Sequence, residues 1–523
     1  MFARLGSACL RIAAVLTAMS GCGLTATGQQ TVPPLPVGTL GPPVVVEVVP
    51  LSPALPTQSR PQSADPIPTL PPLVVADPSD KPFPINLATA LQLAHVRPID
   101  IQIATHQIQI ADAQFDRARW QWLPTLYLGG DYYRHDGQLQ DVAGNILSTS
   151  KSGAMLGVGP SMVFSLCDAI LAPLAARQEL QARQAGLQIT QNDTVLAVAE
   201  AYFRVQQARG ELAGAVDTVR RAEDLVRRAE KLAPGLIPPA EASRAKVELS
   251  RRQQAFETAR ERWRSTSAEL ARLLRLEPTA VLQPIEPPHL KMTLVNTDTP
   301  VDELVPIALL NRPELAAQKA LVQATLERLR QEKLRPLIPS VLLRGFSTPV
   351  TGTLAAGYFG GGINSSMSNF NARGDFDLQI LWELKNLGVG NWTLIRERRA
   401  ESDIAVFRLF GLQDRIAAEV VQAYAQAQAA EERLKRAETG LRFAVDTYDK
   451  NVAVLSETRR VGDVELLIVR PQEVLSALQG LAQAYNDYYA AAADRTIAQF
   501  RLYRALGHPA QALSQCEGFP KTP

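Results

Sequence analysis

Apolar and polar residues alternate along residues 374–383. Phe376, Leu378, Ile380 and Trp382 share one face, while Asp375, Asp377, Gln379 and Glu383 fall on the other. A period of two predicts a strand with one apolar and one wet side. Gly388 and Gly390 then punctuate a turn, after which the spacing changes to threes and fours: Leu412, Ile416, Val420, Ala423, Ala427, Ala430, Leu434, Ala437, Leu441, Ala444 and Tyr448. Leu475, Leu478, Ala482, Tyr485, Tyr489, Ala492, Thr496, Phe500 and Tyr503 repeat that spacing in a second segment. Many of these residues are small, so the two helices can approach closely along a coiled-coil-like seam, with Arg, Gln, Glu and Asp on the other faces. The first helix is about 65 residues long, or about 100 Å at the usual rise per residue, which a compact globular domain does not accommodate. A half-wet strand feeding such a helix fits a barrel wall continued by a tube of helices.

The pattern occurs twice. Arg97-Pro98 and Leu123-Pro124 are matched by Arg312-Pro313 and Ile338-Pro339 at an offset of 215, Phe164 by Trp382 at 218, and Ala201-Tyr202 by Ala423-Tyr424 at 222. First strands are predicted at 125–133 and 340–346, and second strands at 154–165 and 375–383. Long helices are predicted at 168–232 and 239–276, parted by Pro234-Gly235 and Pro238-Pro239, and at 391–459 and 464–506, parted near Gly462-Asp463. Each half therefore reads helix, strand, loop, strand, very long helix, turn, long helix, the mark of an internal duplication. In the second half, residues 347–373 with Gly360-Gly361-Gly362 are expected to form an exposed loop; no Gly-Lys-Ser/Thr follows to make it a phosphate cradle.

Composition narrows the picture. With 54 basic and 52 acidic residues the net charge is only +2, which carries no nucleic-acid or acidic-substrate signal. Beyond the N-terminus no apolar run is long enough for a membrane-spanning helix, but strands of a barrel are short and half apolar. Four strands cannot close a barrel of useful width, and open strand edges are not tolerated in lipid, so the chain is expected to associate with copies of itself.

Arg4 and Arg11 precede an apolar stretch at 12–19, a signal-peptide pattern. It leads into Met19-Ser20-Gly21-Cys22, which reads as a bacterial lipobox and makes Cys22 the lipidated first residue of the mature chain; an ordinary signal peptide cleaved a few residues later is the alternative. Residues 23–84 are rich in Pro, Thr and Ser and are expected to be an extended tether. Cys167 and Cys516 lack metal-site spacing, and neither a disulfide nor a metal is expected of them. Five histidines (His95, His106, His135, His289 and His508) form no ligand motif, and no catalytic signature occurs, so neither a cofactor nor an enzymatic reaction is expected.

The informative polar residues lie at the turns between long helices: Glu241 in the first half, and Arg459, Arg460, Asp463 and Glu465 in the second. At the far rim of a tube, acids repeated by symmetry make a ring field that favours cations. Acids near a helix start also satisfy its exposed N–H groups, and both readings stand.

Taken together, Arg97-Pro98, Arg312-Pro313, Leu123-Pro124, Ile338-Pro339, Phe164, Trp382-Glu-Leu-Lys-Asn-Leu-Gly, Gly235 and Gly462 resemble the TolC-like outer-membrane efflux proteins across about residues 85–509. That resemblance implies a mostly helical fold with a transmembrane β part. Three protomers would each give four strands to one 12-stranded barrel, continued by a long α-helical barrel. It implies a homotrimeric duct in the bacterial outer membrane, extending into the periplasm. Such ducts serve tripartite efflux or type I secretion, with a periplasmic adaptor and an inner-membrane RND or ABC pump as partners. Glu241, six after Gly235, matches an acidic gate position of the family; the second-half counterparts, Ile468 and Pro471, are not acidic, and Asp463 and Glu465 lie nearby. The expected organisation is a signal peptide with lipobox at 1–22, tether at 23–84, repeats at 85–290 and 291–509, and a tail at 510–523. Phe376, Leu378, Ile380 and Trp382 are expected to face lipid, and Asp375, Asp377 and Gln379 the lumen. A periplasmic coiled-coil adaptor is the rival reading; it would lack the alternating strands and would carry its helical hairpin once.

Overall fold

The structure, a computed structural model, describes residues 70–73, 81–232, 237–288, 290, 292–344, 354, 356–363, 368–374, 377–455, 457–461, 464–467 and 469–508. Cys22, His289, Asp375, Phe376, Gly462, Asp463 and Cys516 lie outside them.

Strand β1 (Lys81–Ile85) opens the fold and leads into α1 (Leu87–Val96), whose first turn is capped by Asn86 accepting from the Thr89 amide at 2.8 Å. Arg97-Pro98 makes an elbow, because a residue before proline is pushed out of the helical region, and α2 (Ile99–Arg119) follows. Strands β2 (Thr125–Gln140) and β3 (Ile146–Ser165) form a hairpin closed by Asp141, whose carboxylate accepts from the Ala143 and Asn145 amides. At 16 and 20 residues they exceed the 9–11 needed to cross a bilayer and extend beyond the predicted 125–133 and 154–165. Helix α3 (Leu166–Leu232) runs 67 residues, about 100 Å, and α4 (Pro239–Leu274) returns, started by a proline at its first position. Strand β4 (Ala280–Pro284) then pairs in parallel with β1. Residues 81–84, expected in the tether, are therefore part of the folded body; their prolines are tolerated because this two-stranded ribbon has free edges.

The second half repeats the plan with α5 (Val301–Asn311), the Arg312 elbow, α6 (Pro313–Leu334), β5 (Ser340–Arg344), β6 (Ala356–Ile363), β7 (Asn369–Gly374) and β8 (Asp377–Leu381). Here the expected exposed loop at 347–373 is corrected: 356–363 and 369–374 are strands. Pairs of pieces lie end to end. β5 and β6 run along β3, from Ser340 opposite Ser165 to Ile363 opposite Lys151; β8 and β7 run along β5 and β6. The six-stranded sheet thus has four antiparallel tracks, with β2 at one edge and β8/β7 at the other. Glycines hid β6 from the alternation test. The Phe370 ring occupies the space a side chain at Gly360 would need, where a Cβ would come within 2.3 Å of it.

Helix α7 (Val389–Val454) spans 66 residues, and α8 (Pro471–Ala505) returns. Between them stands an antiparallel ribbon of β9 (Thr458–Val461) and β10 (Val464–Leu467), so the helices expected at 391–459 and 464–506 are both too long. Thr458, Val461 and Val464 flanking Gly-Asp are a hairpin signal that outweighs the helical pattern.

The seam residues pack as expected: Ile416, Val420, Ala423, Ala427, Ala430, Leu434, Leu441 and Tyr448 are buried. Helix α8 is enclosed more widely than a narrow seam, with Val474, Leu481, Tyr488, Ile497 and Leu502 also buried, because both α3 and α7 pack on it. Gly210 and Gly214 of α3 lie one turn apart under Tyr489 and Tyr485, where a Cβ would come within 2.4 Å and 2.9 Å of the rings.

Candidate functional site

The order of packing defines a wall with two open edges. Near the sheet, α2 packs on α3, α3 on α6, and α6 on α7; farther away, α4 packs on α3, α3 on α8, and α8 on α7. One edge is therefore β2 with α2 and α4, and the other is β8/β7 with α7. Large apolar side chains stand exposed along both edge helices: Val96, Ile99, Ile103 and Ile110 beside and along α2, and Ile404, Phe407, Phe410 and Val421 on α7. Exposed apolar stripes of this extent mark an interaction surface.

The internal repeat says what fits there. α3 follows α2 as α7 follows α6, so the repeat relates the α3–α6 contact to a pairing of α7 with α2. The α3–α6 contact is made of Cys167 donating to the Gln331 carbonyl at 3.2 Å, Asp168 paired with Arg335 at 2.7 Å, and Glu179 paired with Arg328. A head-to-tail contact repeated by rotation gives a closed ring when the rotation closes and an open filament when it does not.

On the outer track, Leu378 and Ile380 are exposed while the alternating Asp377 and Gln379 are half-buried, the Gln379 amide donating to the Asp377 carboxylate at 2.9 Å. Trp382 is exposed but sits one residue past the strand, which ends at Leu381. The chain then turns through Asn386 (φ 51°), Leu387 (φ 59°) and Gly388 (φ 91°), three successive left-handed residues. For Asn and Leu this costs on the order of 1–3 kcal/mol each. The turn is held by the buried Asn391, whose side-chain oxygen accepts from the Lys385 amide at 2.7 Å, and Gly390 is required because a Cβ there would come within 2.9 Å of the Lys385 carbonyl.

Halfway along the wall the side chains lock four helices together. Arg312, with 2% of its side chain exposed, donates to the Ala505 carbonyl at the end of α8 and pairs with Glu314 and Glu419. Arg504 pairs with Asp193, Glu314 and Glu419. Gly507 caps α8 at φ 76° and touches the Arg312 backbone, where no side chain would fit. Arg97, the counterpart of Arg312, is exposed. The segment joining the repeats is strapped across the same level. Arg495 donates to the Met292 carbonyl and Thr293 and pairs with Glu431, the Gln499 side chain accepts from the Leu294 and Val295 amides, and Tyr424 donates to the Thr297 carbonyl. The sequence singled out Arg312 as a repeat marker but gave no sign of its burial, and it gave no sign of the strap.

At the far end, Glu241 lies in the first turn of α4, as helix capping expects, and its Oε1 pairs with Arg244 at 2.6 Å. Its Oε2 is buried without a partner among the described residues. Glu465 and Arg460 are brought together as register partners in the β9–β10 ribbon, so Glu465 is not at a helix start and the capping reading is corrected for it. Pro471, not an acid, opens α8. Leu232 and Leu249 pack with Leu455, Val469 and Val474, which places both helix turns at one end. Among the described residues no group of acids, histidines and cysteines could hold a metal, and no helix is long and apolar enough to cross a membrane.

The outer membrane efflux protein family matches residues 90–274. In fold, the chain is similar to the outer-membrane channel OprN, with 17% identity, a TM-score of 0.66, and 81% of this chain and 90% of that one covered. It is similar to the outer membrane protein VceC of Vibrio cholerae (16% identity, TM-score 0.64, 81% and 96% covered). It is also similar to the CmeC outer membrane channel of Campylobacter jejuni (15% identity, TM-score 0.62, 81% and 85% covered). No curated protein sequence matches the chain.

Proposed function

We propose that this chain, a TolC-like outer-membrane factor by its fold and by the family match of its first repeat, is an outer-membrane export duct that acts as a homotrimer and passes its cargo without chemistry. One observation carries the reading. A four-track sheet and a four-helix wall end in the same two unpartnered edges, and the wall already contains, between α3 and α6, the contact those edges would make. The strands, and the helical hairpin occurring twice, weigh against a periplasmic adaptor. Three copies give 12 strand tracks, enough for a barrel with an open interior. Leu378, Ile380, Trp382 and Phe376 then face lipid, Cys22 carries the lipid anchor, and the tube reaches into the periplasm toward an adaptor and an inner-membrane pump.

Ring closure is testable at a chosen height. Gln318 of α6 donates to the Ala405 carbonyl of α7, so these residues are level, and Ile103 is the first-repeat match of Gln318. Protein carrying both Ile103→Cys and Ile404→Cys, treated with a short bismaleimide, is expected to cross-link up to a trimer and no further. Monomer alone, or a product that stops at dimer, would defeat the proposal.

Glu241, Asp463 and Glu465, with Arg460 opposite Glu465, are proposed as the periplasmic rim. Replacing all three acids by their amides is expected to lower cation preference in planar-bilayer recordings by about twofold or more, the effect of removing a charged ring. Unchanged selectivity would leave these residues with structural roles only.

A further inference from the structure

The exposed apolar period of β8 does not stop where the strand stops. Leu378, Ile380, Trp382 and Leu384 are all exposed at every second position, although the strand ends at Leu381. Leu387 follows in the left-handed turn with 97% of its surface exposed, and Val389 and Trp392 are exposed on the first turn of α7. A leucine held in a left-handed backbone and pointing at nothing in its own chain is an unfavourable choice in water. The guanidinium of Arg396 lies 4.6 Å from the Trp392 ring. An amphipathic ring beside a long cationic side chain is the arrangement that settles at a lipid headgroup layer.

We propose that this junction is a lipid-binding collar. Leu384, Leu387 and Val389 enter the acyl boundary of the leaflet on the tube side, and Trp392 with Arg396 lies at the level of the phospholipid phosphates. The inference rests on the barrel reading above and adds that the membrane extends past the strand ends onto the first helical turn. Two observations select lipid over a second copy of the chain. The apolar period is continuous with the strand face assigned to lipid. Exposed apolar residues also mark the junctions of the inner tracks, at Ile170 and Leu337, away from either edge.

The test uses the full chain in vesicles of phosphatidylethanolamine and phosphatidylglycerol, with Leu378→Cys, Leu387→Cys or Lys450→Cys labelled with an environment-sensitive nitrobenzoxadiazole. Lipids brominated near the headgroup end of their chains are expected to quench the Leu387 probe by about twofold or more, as for a group at the interface. Deeply brominated lipids should quench the Leu378 probe, and the Lys450 probe, far down α7, should respond to neither. A quenched Leu378 probe with an unquenched Leu387 probe overturns the collar and leaves the barrel standing. A Leu387 probe that is shielded in detergent and blind to brominated lipid also overturns the collar, because a second copy then covers it. If neither probe is quenched, the barrel reading fails first.

Discussion

Replacing Arg312 by alanine is expected to destabilise the protein by about 3–5 kcal/mol, the usual result of breaking a buried ion pair. The same change at Arg97 is expected to stay within about 0.5 kcal/mol, as for an ordinary surface position. The two arginines occupy equivalent places in the repeat, so the difference isolates environment from sequence. Arg312 is buried against the C-terminal end of α8, where its Nε satisfies the Ala505 carbonyl at 2.8 Å. Removing it leaves that carbonyl without its donor and leaves Glu314 and Glu419 to Arg504 alone. Three carboxylates would then share one guanidinium in a partly dry site. Arg312→Lys is expected to recover little, since one ammonium cannot reproduce the guanidinium fork. Thermal unfolding followed by far-UV circular dichroism, in detergent at matched protein concentration, measures all three. Equal losses at Arg97 and Arg312 would remove the distinction.

The second large effect is expected at the glycine notch. Tyr489→Ala should lose about 3–5 kcal/mol, as large-to-small changes of buried aromatics do. Gly210→Ala alone should be destabilising by about 1–3 kcal/mol, because the added methyl meets a ring that is itself buried. In the Tyr489→Ala background the same methyl enters the vacated space and adds helix propensity, so Gly210→Ala should become neutral or stabilising there. The coupling between the two changes is the quantity to measure, and additive losses would show that the notch does not hold the ring. Tyr489→Phe, by contrast, should be neutral or mildly stabilising. Its hydroxyl is buried without a partner among the described residues, and burial drives its pKa upward.

Periodicity made the long helices legible, and the duplication made their order legible. Both signals survive because each helix buries a continuous seam, so dozens of positions vote together. Strand β6 was not legible, since glycines at 360–362 serve cross-strand approach and erase the alternation that marks a strand. The β9–β10 ribbon is hidden for a different reason: its hairpin signal rests on a few residues around Gly-Asp, whereas the helical periodicity that runs toward it is carried by many. At the turns between the long helices, position told more than residue type. Glu241 lies where a cap is expected, whereas Glu465 belongs to a hairpin strand, in register with Arg460. Arg312 and Arg97 are indistinguishable as letters, because burial is decided by what α8 brings to one of them and by nothing in the Arg-Pro pair itself.

The parallel pairing of β1 with β4 has a consequence for how the protein assembles. The Leu87 amide that begins α1 donates to Glu286, 199 residues later, and β1 has no other strand partner among the described residues. A contact so distant in sequence carries a large loop-closure entropy and forms slowly. The β1–β4 pairing therefore cannot form until the whole first hairpin of helices has been delivered. The clasp thus ties the first strand of the body to the last strand of the first repeat, with both long helices of that repeat enclosed between them in sequence.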